Sequence, residues 1–255
     1  MKKWSFMAGL VLAVAALAVP AQAFAPEFDD VVEQSLPLPA GGTFALANVN
    51  GSVVVEGWDR PEVHLRAVKT TKGNLTDLKR VHSDVRTEPG KVLVQTIYPE
   101  DSGVEVLVDY RIRVPRNVRL AGVQTVNGNV MVRGVEGQIA ARAVNGDLEL
   151  ADAGAGVQAR TTNGNIRFES HRPALAGGVT LETINGSIVV GLPAESHVDL
   201  EVTTMNGDFR SELPLQVQGS GGDREFRGRL GRGGSPLQAR TVNGGIRVVT
   251  ARNAV

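Results

Sequence analysis

Four histidines, His64, His82, His171 and His197, are the first residues to test for chemistry, since imidazole serves both as metal ligand and as general base. None stands at a ligand spacing such as His-x-x-x-His, so they read as surface or strand residues. The carboxylates Asp29, Asp30, Glu100 and Asp101 are the candidates for an acid–base pair acting on a polysaccharide, but nothing in the sequence gathers them into one cleft. No Gly-x-Ser-x-Gly elbow, phosphate loop or dinucleotide fingerprint occurs, and "LGRGGSP" lacks the last glycine and the preceding strand of such a site. The chain therefore reads as non-enzymatic, with no cofactor and no metal.

Two other residue patterns remain. Arg224, Arg227, Arg229 and Arg232 lie among glycines in "GSGGDREFRGRLGRGG", which reads as a flexible loop or, more sharply, as a basic contact for an anionic glycan or lipid headgroup. Asn-Gly recurs at Asn50, Asn127, Asn145, Asn163, Asn185, Asn206 and Asn243, seven times in all. A functional reading makes these amides a ligand ladder. The structural reading makes them stacked corners whose side chains hydrogen-bond from copy to copy, a device known from parallel β assemblies. Turn chemistry alone accounts for both residue types, so the structural reading is taken. Aspartate follows the glycine in only two copies, Asp147 and Asp208, too sparse a set for the six or more oxygens of a calcium site.

The elements that carry these corners follow from the spacing. From Asn127 the pairs advance by 18, 18, 22 and 21 residues, and a step of 37, about two coils, reaches Asn243. The third residue after each asparagine is apolar in all seven copies: Val53, Val130, Leu148, Ile166, Ile188, Phe209 and Ile246. Before the asparagine the chain alternates, with Val157 and Ala159 inward and Gln158 and Arg160 outward. Each copy is thus strand, Asn-Gly turn, strand.

Two all-β architectures fit. Asn-Gly favours the two-residue hairpin, which would build an antiparallel sandwich or meander. The alternative is a parallel β-solenoid with Asn-Gly corners, each repeat one coil. The residue before the asparagine, Val49, Val126, Val144, Thr162, Ile184, Met205 or Val242, is apolar in six copies of seven. A bend that tucks this residue inward suits the solenoid, which is the preferred reading.

Residues 43–117 carry less regular strand candidates, "TFALANV", "SVVVEGW", "EVHLRAVKT", "KVLVQTIYP" and "GVEVLVDYRIRVP", with a short helix expected in "NLTDLKRVHSD". They read as a β-rich lead-in or cap to a repeat region at 118–255, the two forming one domain over 43–255. Residues 24–42 are an extension that covers an end of the stack. Residues 1–23 show two lysines, an apolar run and Ala21-Gln22-Ala23, the pattern of a secretory signal peptide cleaved after Ala23. The expected product is exported, periplasmic or extracellular, with no transmembrane anchor after cleavage. The full chain has no cysteine for disulfides and a formal net charge of zero, and losing Lys2 and Lys3 leaves the product slightly acidic, which gives no footprint for nucleic acid. Aromatic residues are few, and Trp58 is expected to pack at a turn.

The stretches "NVNGSVVVEGWDRPEVHLRAVK", "VDYRIRVPRNVRLAGVQTVNGNVMVRGVEGQIAARAVNGDLEL" and "GGSPLQARTVNGGIRV" resemble the bacterial putative adhesin family, a domain of unknown function in exported proteins. The resemblance implies a repetitive β-helical domain at the cell surface or in the periplasm and no enzymatic activity. Its partner would be an envelope or surface component, glycan or protein. Other readings are a β-helical lyase or glycosidase and a periplasmic scaffold with a protein partner.

Overall fold

The computed structural model describes residues 28–100, 103–220 and 224–251. The signal-peptide expectation at 1–23 lies outside them. In chain order the strands are β1 (Phe28–Pro37), β2 (Thr43–Ala47), β3 (Val53–Trp58) and β4 (Glu62–Thr71), then helix α1 (Leu75–Arg80). There follow β5 (His82–Glu88), β6 (Lys91–Ile97), β7 (Val106–Pro115), β8 (Arg119–Asn127), β9 (Val130–Arg133), β10 (Ile139–Asn145), β11 (Leu148–Ala151) and β12 (Val157–Asn163). The remainder are β13 (Ile166–Glu169), β14 (Val179–Asn185), β15 (Ile188–Leu192), β16 (Val198–Asn206), β17 (Phe209–Ser211), β18 (Gln216–Ser220), β19 (Glu225–Leu230), β20 (Ser235–Asn243) and β21 (Ile246–Thr250).

The architecture is all-β, with two large mixed sheets. One holds ten strands in the order β1-β4-β7-β3-β9-β11-β13-β15-β21-β17. The other holds eleven, β18-β19-β16-β20-β14-β12-β10-β8-β2-β6-β5. Each Asn-Gly corner carries the chain from a strand of the second sheet to a strand of the first, and like strands of successive copies pair in parallel, asparagine opposite asparagine. The corners therefore do not close antiparallel hairpins. Alternation places Val157, Ala159, Ile166 and Phe168 in the core between the sheets, as period two requires.

The order along the stack departs from the order in sequence. β20 pairs with β14 on one side and with β16 on the other, so the last copy is inserted between the Asn185 and Asn206 copies. The step of 37 is therefore not two coils. After the Asn206 copy the chain leaves the stack through the antiparallel pair β18–β19, then returns into the gap. Strands β16 and β14 cannot pair directly, because β20 separates them.

The irregular N-terminal half divides in the same way. β2 and β3 form a full copy around Asn50 that stacks directly on β8 and β9. The intervening residues fold over the outer end, with β4 antiparallel to both β1 and β7 on one sheet and β5 antiparallel to β6 on the other. Such additions cover the unpaired edge and apolar floor that a bare end copy would expose. Tyr110 is the largest fully buried side chain here, and its hydroxyl lies 2.6 Å from Ser83 Oγ and 2.8 Å from Thr96 Oγ1. Residues 28–37, assigned above to an extension, are the ten-residue edge strand β1.

Candidate functional site

The corners form a continuous ladder. Asn127 Nδ2 donates to Asn50 Oδ1 at 2.8 Å, and the same bond runs from Asn145 to Asn127 (2.9 Å), Asn163 to Asn145 (2.8 Å) and Asn185 to Asn163 (2.7 Å). It continues from Asn243 to Asn185 at 2.7 Å and from Asn206 to Asn243 at 2.8 Å, which retraces the insertion of the last copy. Each interior amide is thus both donor and acceptor to its neighbours.

The glycine beside each asparagine answers to stacking as well as to turn shape. A Cβ added at Gly146 would stand 1.8 Å from the carbonyl oxygen of Gly128, and one at Gly186 would stand 1.9 Å from that of Gly164. Only glycine lets one copy's backbone approach the next this closely. The threonine two residues before the asparagine completes the corner. Thr161 Oγ1 donates to the Gly146 carbonyl, Thr183 to Gly164, Thr241 to Gly186 and Thr204 to Gly244, each at 2.9 Å. Thr125 does the same toward Gly51 at 3.0 Å; Asn48 holds this position in the first copy, its amide donating to the Gly51 carbonyl at 3.1 Å, and Ala143 has no polar group to give.

This row of threonines corrects the expected position of the residue before the asparagine. Val126, Val144, Ile184 and Met205 are 38%, 42%, 48% and 51% exposed, and Val49, Thr162 and Val242 are half-buried. They point outward, because alternation continues unbroken to the corner and the inward position is taken by Asn48, Thr125, Ala143, Thr161, Thr183, Thr204 and Thr241. The signal was present in the sequence, since these residues share the parity of outward Arg160.

The outward row has a consequence for binding. Stacked at about 4.8 Å per copy, the six members Val126, Val144, Thr162, Ile184, Val242 and Met205 make a stripe roughly 24 Å long that is apolar but for Thr162. Beside it, one position earlier on the same face, run Gln124, Arg142, Arg160, Glu182, Arg240 and Thr203. Between the two rows lies a trough of about 730 Å³. Arg160 pairs with Glu182 at 2.8 Å and Arg240 with Glu201 at 3.1 Å, so much of the charged rim is already neutralised. No aromatic side chain lines the trough.

The four arginines of the glycine-rich tract are placed by the β18–β19 hairpin. Arg227 pairs with Glu225 at 2.6 Å, and Arg229 with Asp199 at 3.0 Å. Arg229 and the backbone N–H of Gly234 hold the Asp199 carboxyl below its ordinary range. Arg224 sits exposed at the turn before β19, and the Arg232 N–H donates to His197 Nδ1 at 3.1 Å. In the described part of the tract, Arg227 and Arg229 lie on β19 with carboxylates beside them.

The other candidates for chemistry stand apart. His64 meets Glu33 at 2.9 Å, His171 meets Asp152 at 2.7 Å, and His82 is exposed at the start of β5. Asp29 and Asp30 are consecutive on a strand and face opposite sides, Asp30 paired with Lys69. Glu100 is exposed in a loop and Asp101 lies outside the described residues. Asp147 accepts the backbone N–H of Asn165 at 2.6 Å, and Asp208 pairs with Arg210 at 2.6 Å. Among the described residues no three His, Asp or Glu side chains are grouped as metal ligands, and no helix is long and apolar enough to cross a membrane.

Residues 48–249 match the family model described as Toastrack DUF4097. Among solved structures, the chain is similar to a putative cell adhesion protein from Clostridium sporogenes, at 9% identity and a TM-score of 0.52, over 87% of this chain and 100% of that one. It is also matched to a putative adhesin from Bacteroides fragilis, at 9% identity and a TM-score of 0.39, over 87% of this chain and 97% of the other. The first likeness bears on fold alone. No curated protein matches.

Proposed function

The chain belongs to the Toastrack DUF4097 family, and from that premise we propose that it is a non-enzymatic, exported envelope module: a β-solenoid that binds an elongated partner along one face, in the manner of an adhesin or an envelope scaffold. The observation that carries this reading is the trough from Val126 to Met205, an ordered apolar stripe on an exposed face of the stack. An isolated exposed valine means little, but a contiguous apolar strip rimmed by charge marks an interaction surface. Its partner is a protein segment rather than a glycan, because sugars bind by stacking on aromatic rings and this face has none. The likeness in fold to a putative cell adhesion protein supports the adhesive reading.

The alternatives have less to stand on. A lyase or glycosidase needs two carboxylates, or a carboxylate with a base, converging on one groove, whereas Asp29, Asp30 and Glu100 diverge.

The test is photo-crosslinking in the exporting cell. A photoreactive residue placed at Ile184 should capture one discrete envelope protein, and the same residue at Arg247, on the outer face of the other sheet, should not. Equal labelling from both positions, or glycan alone captured from Ile184, would count against the trough.

A further inference from the structure

On the outer face of the ten-stranded sheet, at its N-terminal end, three arginines come together from two antiparallel strands. Arg66 of β4 and Arg111 of β7 are direct Cα partners, and Arg113 stands two residues along β7, opposite His64. Like charges directly opposite one another destabilise a strand pair. Two carboxylates lie close by, Glu33 as the direct Cα partner of Arg66 on β1 and Glu56 as that of Arg113 on β3, and neither forms an ion pair with Arg66 or Arg111. Arg113 is engaged by Glu56 at 3.9 Å and lies over the Trp58 ring at 5.9 Å, while Glu33 is taken up by His64 at 2.9 Å. The side chains of Arg66 and Arg111 make no ion pair or hydrogen bond with any described residue, although their backbones are paired in the sheet. They face a concavity of about 590 Å³ whose lining also includes Val54, His64 and the carboxylates Glu33 and Glu56. Two other arginine pairs stand directly opposite across strands, Arg142 with Arg160 and Arg210 with Arg247, but in each of them one member has a carboxylate, Arg160 with Glu182 and Arg210 with Asp208.

We propose that Arg66 and Arg111 form a site for a phosphate monoester carried by an envelope molecule. Two facing guanidinium groups offer two planar forks of N–H donors, the geometry that pairs bidentately with phosphate oxygens. A monoester carries about −1.5 to −2 charges at neutral pH, which matches two unpaired cations better than the single charge of a carboxylate. Arg113, steadied by Trp58 and Glu56, closes one side of the site, and the Trp58 ring is near enough to report occupancy. This site is on the opposite sheet from the trough and does not depend on it.

The experiment is titration of the full chain with glycerol phosphate, followed by calorimetry and by tryptophan fluorescence, at ionic strength held constant with chloride. Saturable binding is expected, with Arg66→Gln and Arg111→Gln each weakening it at least tenfold and Arg167→Gln leaving it unchanged. Far-UV circular dichroism checks folding, and Arg66→Lys, which keeps the charge but removes the fork, should also weaken binding. Binding that the two glutamine variants share with the wild type, or no saturable binding beyond the chloride control, overturns the proposal.

Discussion

The stacked corners and the N-terminal cap treat polar groups in opposite ways. At the corners the repeated donors find acceptors in the neighbouring copy: amide to amide along the asparagines, hydroxyl to glycine carbonyl along the threonines, and backbone N–H to asparagine carbonyl, as from Gly146 to Asn163 at 2.9 Å. Such saturation leaves nothing directed at a ligand. In the cap, where no repeat imposes a pattern, Arg66 and Arg111 face each other and neither side chain forms an ion pair with a described residue. Repetition here makes stability, and departures from it make surfaces available for binding. The trough is the intermediate case, a repeated row that happens to point outward.

The contrast can be broken most sharply at glycine. Gly146→Ala forces a Cβ against the Gly128 carbonyl and should destabilise the chain by about 3 kcal/mol or more in urea unfolding, at the upper end of overpacking costs. Gly90, in the cap, has a φ of 72° and open space around the added atom, so Gly90→Ala should cost only about 1 kcal/mol. Equal costs would remove the claim that close stacking selects glycine.

The ladder gives the next effect. Asn163→Ala removes two side-chain bonds, to Asn145 and from Asn185, and should cost about 2 kcal/mol. Asn206, at the end of the ladder, has one such bond, so Asn206→Ala should cost about half as much. Smaller again is Ala143→Thr, which supplies the missing hydroxyl opposite the Gly128 carbonyl and should raise stability by up to about 1 kcal/mol.

At neutral pH the smallest effect belongs to Tyr98 in the cap. Burial pushes its phenol up to about 12 from 10.0, and its hydroxyl donates to the Val106 carbonyl at 2.8 Å. Its folded value lies above its unfolded one, so its contribution is intact below pH 10 and is lost as pH rises from there through about 12. Tyr98→Phe should flatten the alkaline part of the stability curve in that window, and an unchanged curve would assign the loss to other groups.

Much of this was legible in the sequence, and the gaps have physical causes. Period-two alternation and the invariant apolar position at Val130, Leu148 and Ile166 located the strands and the inner face, and the short helix fell at Leu75–Arg80 as expected. The stack order was not legible, because the Asn243 copy carries the same residues as its neighbours and any slot in the stack would accept it. β5 was missed because "HSDVRTE" is mostly polar, being an edge strand with little to bury. The outward row was misplaced through weighing residue type over parity: Val144 and Ile184 are apolar, yet alternation sets their direction. The arginine pair could not be seen, since Arg66 and Arg111 become neighbours only through the antiparallel register of β4 and β7.

The central claim is that the corners hold the stack while the trough meets the partner. It is tested most directly by measuring binding to isolated envelope material for three folded proteins: the wild type, a Val144→Asp/Ile184→Asp variant and Asn163→Ala. Placing charge in the apolar stripe should abolish binding with little loss of unfolding free energy, and the ladder variant should bind like the wild type while unfolding at lower urea. A folded ladder variant that no longer binds, beside a charged trough that still does, would contradict the account.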